Sequence, residues 1–495
     1  MRVSAKIGYG IGQLSDGAKQ AAFNTFLFFY YNQVLGLSGS LAGTAALLAL
    51  VADAITDPMI GQISDRFRSR WGRRHPFMLA GALPFGMAMY LLFSPPEGLT
   101  EYGLFGWMLG GAIAVRMMLT LFFVPHLSLG AELVKDYHER TSLIGYRIFF
   151  TYVGVFFCSV IGFIVFFPPT EAFPNGMLNA TSYPKFGLFC GVVGSLAMLW
   201  TVIATRKAIP DLQQPSSEPE KHHPLLAFLQ VFQSLRLKSF RVLFSVTLLI
   251  STFAGVIQTL LVYVAIYVFE FQPEHLAGLA ASVVIGILFA SPVAQWLSRR
   301  LDKRGALTAC VLIASVFAFT PITLYLVGVL QALESNQKLL LVLSFNGFSQ
   351  IFFIAYVILL DSMLSDIIDE NELNTGRREE GTFFAARSFA TKASYGFGSF
   401  FAGIGLDIIH FPQSASPDNV PPEAVTSLAI LAGPVMFLMF VSTILISRHY
   451  PLTQQRHREI SAAIKAKKMP VPEFDGDAVA DGAMATDEAV ATNHC

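Results

Sequence analysis

The chain has 495 residues, of which 54% are hydrophobic and 14% charged, with a mean hydropathy of +0.55. Soluble domains carry roughly 25% charged residues, so this composition excludes a soluble enzyme and points to a polytopic protein whose partner is the lipid bilayer. The 34 basic and 34 acidic residues cancel to a formal net charge of zero, and no nucleic-acid partner is expected.

A helix needs roughly 20 apolar residues to cross the hydrocarbon core. Twelve spans are predicted, at 8–36, 41–64, 76–94, 103–133, 144–167, 186–205, 240–269, 276–298, 306–330, 339–364, 383–408 and 425–447. No short apolar segment followed by a cleavage site opens the chain, so no removable signal peptide is read. Cys158, Cys190 and Cys310 lie in apolar runs without paired spacing, which argues against a disulfide framework or a zinc site.

The first span carries Gln13, Asp16, Gln20 and Asn24 at steps of three and four, with Lys19 beside them. These positions share a helix face. A polar stripe on a spanning helix faces either a cavity or a hydrogen-bonded neighbouring helix. In the second span Asp53 and Asp57 sit one helical turn apart. Each carboxylate at bilayer depth costs on the order of 2.5–3.5 kcal/mol on insertion scales, and the pair repels. Holding a coupling cation or a proton is the task that fits such a pair. The second span runs into a basic stretch containing Asp65, Arg66, Arg70 and Arg73.

His126 follows Pro125 in the fourth span and reads either as a proton relay or ligand contact or as a packing histidine. Arg147 opens the fifth span near Asp136, Glu139 and Arg140, a gate cluster or a plain charged anchor. Asp361, in the tenth span with Asn346 and Gln350, is a candidate for a gate or a substrate contact. Lys392 lies well inside the eleventh span, where an ammonium needs a partner, and Asp53/Asp57 is the obvious one.

Loops at 66–74, 206–207, 236–241, 299–304 and 377–378 are rich in Arg and Lys, and those at 94–101, 167–184, 270–275 and 410–425 nearly lack them. The basic set should be cytoplasmic, which puts both termini inside. The expected organisation is an N-terminal six-helix bundle over 1–207, a cytoplasmic loop over 208–238, a C-terminal bundle over 239–450 and an unstructured tail over 451–495. A weak repeat aligns Pro58 to Arg70 with Pro292 to Arg304, and it places Ile287 and Ser291 opposite Asp53 and Asp57. The acidic pair is therefore not a feature of the scaffold. Two similar halves suit alternating access. No phosphate-binding glycine loop, His-Glu-x-x-His or nucleophile elbow is present, so no enzyme is read.

Gly61-Gln-Ile-Ser-Asp65-Arg66 through Gly72-Arg73-Arg74 resembles the loop 2–3 motif of the major facilitator superfamily. Asp53-Ala-Ile-Thr-Asp57-Pro58, Tyr9-Gly-Ile-Gly12, Tyr30-Tyr31 and Glu132 through Thr141 resemble its glycoside–pentoside–hexuronide:cation symporters. The resemblance implies an all-α fold of 12 transmembrane helices in two pseudo-symmetric six-helix bundles, acting as a monomer in a bacterial inner membrane. It implies that Asp53, Asp57 and Thr120 bind the cation, that Lys392 links cation and substrate sites, and that Arg147 lies near the sugar. Two positions depart from the family. Its helix-four sugar aspartate falls on Phe123, and its helix-one aspartate falls on Gly17, one residue after Asp16. The architecture also looks like that of the sodium-coupled lysophospholipid transporters, to which Phe123 would be suited. Gly72-Arg-Arg-His-Pro76 also looks like plant-type sucrose–proton symporters.

The expectation is a secondary transporter without a cofactor, coupled to Na+ or H+, whose substrate is a glycoside, oligosaccharide or sugar acid. A lysophospholipid or other amphiphile is the alternative substrate. A non-transporting receptor and a multi-pass membrane enzyme are the rivals outside transport.

Overall fold

The computed structural model describes residues 2–134, 137–211, 234–377, 379–413, 415 and 417–468. Among these residues the regular structure is all helix, without a strand. The first helical run combines α1 (Val3–Gly10), a tighter turn at Ile11–Gln13, α2 (Leu14–Ala21) and two widened segments, Ala22–Leu27 and Tyr30–Val34. Then follow α3 (Gly39–Arg66), α4 (His75–Leu92), α5 (Glu101–Leu133), α6 (Tyr137–Ile161) and α7 (Ser182–Thr205). The second half holds α8 (Lys238–Tyr263), α9 (Pro273–Leu326), α10 (Ser335–Thr375), α11 (Glu380–Ile408), α12 (Pro422–Ile430) and α13 (Met436–Ser447). Nine runs among the described residues are long and apolar enough to cross a membrane.

The predicted eighth and ninth spans form one 54-residue element, α9, broken into two arms at Asp302, whose φ is 63°. Helix α10 runs 11 residues past its predicted end before Gly376, at φ 71°, closes it. At 41 residues it is about 61 Å long, twice the hydrocarbon thickness, so its polar end projects from the bilayer. The expected central loop is helical at both margins, and 212–233 lie outside the described residues. The expectation of an unstructured tail from 451 fails over Gln454–Lys468, which form α14. Ile460 is buried, Gln454 N–H donates to Asp302 at 3.1 Å, and His457 lies 3.1 Å from Asp369. Residues 469–495 lie outside the described region.

Lipid is as apolar as leucine, so helices in a bilayer associate by close packing more than by water exclusion. Two devices supply it here. Aromatic rings interlock, as where Phe26 meets Phe163, Phe186 and Phe167 at centroid distances of 4.9, 4.3 and 5.3 Å. Small residues let backbones touch: a Cβ added at Gly17 would lie 2.3 Å from the Thr151 carbonyl, so α2 and α6 cross with no side chain between them.

The halves are joined at the end bearing the basic-poor loops. Tyr263 donates to Asn32 at 2.6 Å and Tyr267 to Gln33 at 3.0 Å, while Gln33 donates to the Pro412 carbonyl at 3.1 Å. The Asp407 carboxylate of α11 accepts from the Gly39 and Ser40 amides at 2.9 and 2.7 Å, capping the N-terminus of α3. A carboxylate at that position meets unpaired N–H groups and the positive end of the helix dipole.

Candidate functional site

Halfway along α3, Asp53 and Asp57 face α5. Thr120 Oγ1 of α5 donates to Asp57 Oδ1 at 2.7 Å and lies 3.4 Å from Asp53 Oδ1. The outer oxygen of each carboxylate carries a base. Arg116 Nη1, one turn before Thr120, is 2.6 Å from Asp53 Oδ2, and Lys392 Nζ of α11 is 3.2 Å from Asp57 Oδ2. Lys392 thereby bridges the two halves. The Asp53 pair is tucked away, with side chains 14% and 16% exposed, whereas Lys392 is 52% exposed. Among the described residues, Asp53 Oδ1 and Asp57 Oδ1 both approach Thr120 Oγ1, and both bases sit on the other carboxylate oxygens. Hard oxygens of this kind suit a small cation that completes its shell with water.

A second polar group lies on α2, where Asp16 accepts from Gln20 at 2.7 Å and sits 3.4 Å from Lys19. Asn24, a turn later, is exposed. Gln13, which closes the tighter turn Ile11–Gln13, does not join this group. It is buried, bonded to His126 Nδ1 at 3.1 Å and accepting from Thr151 at 3.2 Å. His126 is wholly buried. Its Nε2 donates to the Tyr9 carbonyl at 2.9 Å while Nδ1 accepts from the Gln13 amide, the bonding of a neutral ring, and the ring stacks on Tyr9 at 4.1 Å. Both nitrogens being engaged, it braces helices. Arg147 lies against Tyr9 and near His126.

Asp361 pairs with Arg387 of α11. In the basic stretch, Asp65 is 2.5 Å from Arg74, which also meets Ser64 and Glu132, while Arg73 reaches Glu132 at 2.7 Å. Arg70 is exposed, and the Arg66 side chain lies outside the described atoms. Glu139 is 3.7 Å from Lys6. Asp136 and the Arg140 side chain lie outside the described residues.

The family model described as MFS/sugar transport protein matches residues 8–454. The chain belongs to that family. This MFS chain is 26% identical to the putative glycoside/cation symporter YagG of Escherichia coli K12, across 97% of this chain and 98% of that one. It is 25% identical to the sphingosine-1-phosphate transporter MFSD2B of Xenopus tropicalis, across 95% and 92%. Among solved structures, a D-xylose–proton symporter superposes with a TM-score of 0.61 at 16% identity, across 91% and 98%, and shares the fold. The family and these relatives are membrane transporters, as the sequence led us to expect.

Against the family pattern, Gly17 proves to be the contact point of α2 with α6, with no room even for a methyl group. A carboxylate there would not fit this packing, and Asp16 occupies the neighbouring face. Phe123 is partly buried against the core. Sequence reasoning missed Arg116, Arg387, Arg74 and Glu132 as partners. The signal was available for Arg116: a guanidinium deep in a predicted span carries the same desolvation cost that singled out Lys392.

Proposed function

We propose that this MFS transporter is a cation-coupled symporter of a glycoside, oligosaccharide or sugar acid, with Na+ or H+ bound at Asp53 and Asp57. The observation that carries this reading is the convergence of Asp53 Oδ1, Asp57 Oδ1 and Thr120 Oγ1 beside a lysine from the opposite half. A cation or proton arriving there withdraws charge from Asp57 and loosens its hold on Lys392. The two halves then lose one of their ties, which favours the rocking motion of alternating access. Substrate meets the Asp16, Lys19 and Gln20 group on α2, whose polar atoms suit sugar hydroxyls. Twelve crossings follow when the first helical run, α11 and the second arm of α9 join the nine apolar runs. With the basic loops inside, both termini are cytoplasmic.

An amphiphile is the second reading. It is favoured by Phe123 at the family's sugar-aspartate position and by the likeness to MFSD2B. Proteoliposomes carrying the protein, offered labelled glycosides, sugar acids and a lysolipid under inward Na+ or H+ gradients, test both. Sugar uptake that follows one gradient supports the first reading. Uptake of the lysolipid alone overturns it in favour of the second.

A further inference from the structure

Deep in α5, Arg116 puts Nη1 2.6 Å from Asp53 Oδ2. Among the described residues its Nε is buried without a hydrogen-bond partner, so the guanidinium is not fully satisfied where it lies. Its carbon stands 5.3 Å from the centroid of Phe23 on the first helical run, an aromatic face on which a guanidinium released from Asp53 can rest. Asp53, Asp57, Arg116 and Lys392 together carry no net charge. A small cation at Asp53 Oδ1, Asp57 Oδ1 and Thr120 Oγ1 makes the cluster net positive.

We propose that Arg116 is a tethered competitor of the inorganic cation: it occupies Asp53 when the site is empty of cation and must leave Asp53 for a cation to bind tightly. Arg116 thus sets the cation affinity of the carrier. The proposal rests on the cation-site reading above. At about 5 Å and the effective dielectric of partly buried charges, a guanidinium weakens binding of a monovalent cation by on the order of a hundredfold.

The test is thermal stabilisation of the purified protein as NaCl replaces choline chloride, for the wild type, Arg116→Gln and Arg116→Lys. Arg116→Met, of similar reach and without charge, replaces the glutamine variant if that one does not purify. The expected result is an apparent Na+ affinity tightened at least tenfold in the uncharged variant and held within about threefold of wild type in Arg116→Lys. Na+ stabilisation seen only in the uncharged variant supports the proposal equally. Wild-type stabilisation that the uncharged variant leaves unchanged or weakens overturns the Arg116 proposal alone, as does equal tightening in Arg116→Lys. No Na+ response in any variant overturns the Arg116 proposal, and if sugar uptake is also driven by neither gradient the cation-site reading falls with it.

Discussion

Asp53 and Asp57 are tied to their bases with unequal firmness. Asp53 is bound at 2.6 Å to a largely buried arginine of its own half, and Asp57 at 3.2 Å to a half-exposed lysine of the other. Asp57 is therefore the carboxylate whose surroundings change when the halves move. His126 lies at the opposite extreme: both ring nitrogens are bonded, one to a carbonyl that can only accept. Replacing it with Ala removes a donor from the Tyr9 carbonyl, strands the Gln13 amide and leaves a cavity, which should cost about 2–4 kcal/mol. Thermal unfolding in detergent checks the loss, and the folded variant should transport with an unaltered pH profile. A profile shifted by the substitution would make His126 a proton relay after all. The spacing of Asp53 and Asp57 and the depth of Lys392 were legible in the sequence, because a charge in hydrocarbon advertises its need for a partner. Arg116 carried the same signal, and only its spatial partner, which depends on how α3 meets α5, was hidden.

The elements show where hydropathy stops being informative. It located the apolar stretches, but α10 continues beyond them because a helix ends at its caps and not at the edge of the bilayer. The polar α14 has no apolar run to reveal it; the signal is Ile460 and Ile464 at helical spacing, packed on the core beside Asp302 and Asp369. Glycine contacts are likewise mute in sequence. Gly17 reads as a helix weakener until its 2.3 Å clearance from the Thr151 carbonyl is seen. Gly17→Ala forces α2 from α6 and should destabilise by about 1–3 kcal/mol, the usual range for overpacking. A melting temperature equal to wild type would mean that these helices are not held this closely. Near the helix ends, Arg74 and Arg73 share Glu132. Glu132→Gln weakens both pairs at once and should lower stability by about 1–3 kcal/mol, the range for hydrogen bonds to charged groups, as read by denaturation in detergent.

At the scale of the molecule, two helices, α3 and α11, are tied twice: by Asp407 over the amides of Gly39 and Ser40, and by Lys392 on Asp57. The first tie belongs to a closed end that also holds Asn32, Gln33, Tyr263 and Tyr267. Asp407→Asn removes a charge from a helix N-terminus, worth about 0.3–2 kcal/mol, and should bias the protein towards opening at that end. A cysteine introduced at Asn32 should then react with a membrane-impermeant maleimide severalfold faster than in the parent, and an unchanged rate would mean that the cap does not hold the closure. The second tie lies at the cation site. The most direct test of the account compares Asp57→Asn with wild type in two assays on the same proteoliposomes: concentrative uptake under a cation gradient, and substrate counterflow with no gradient. We predict that the variant loses concentrative uptake while counterflow persists, because substrate exchange needs the rocking motion and not the cation. Concentrative uptake at the wild-type level in Asp57→Asn would contradict the proposed site.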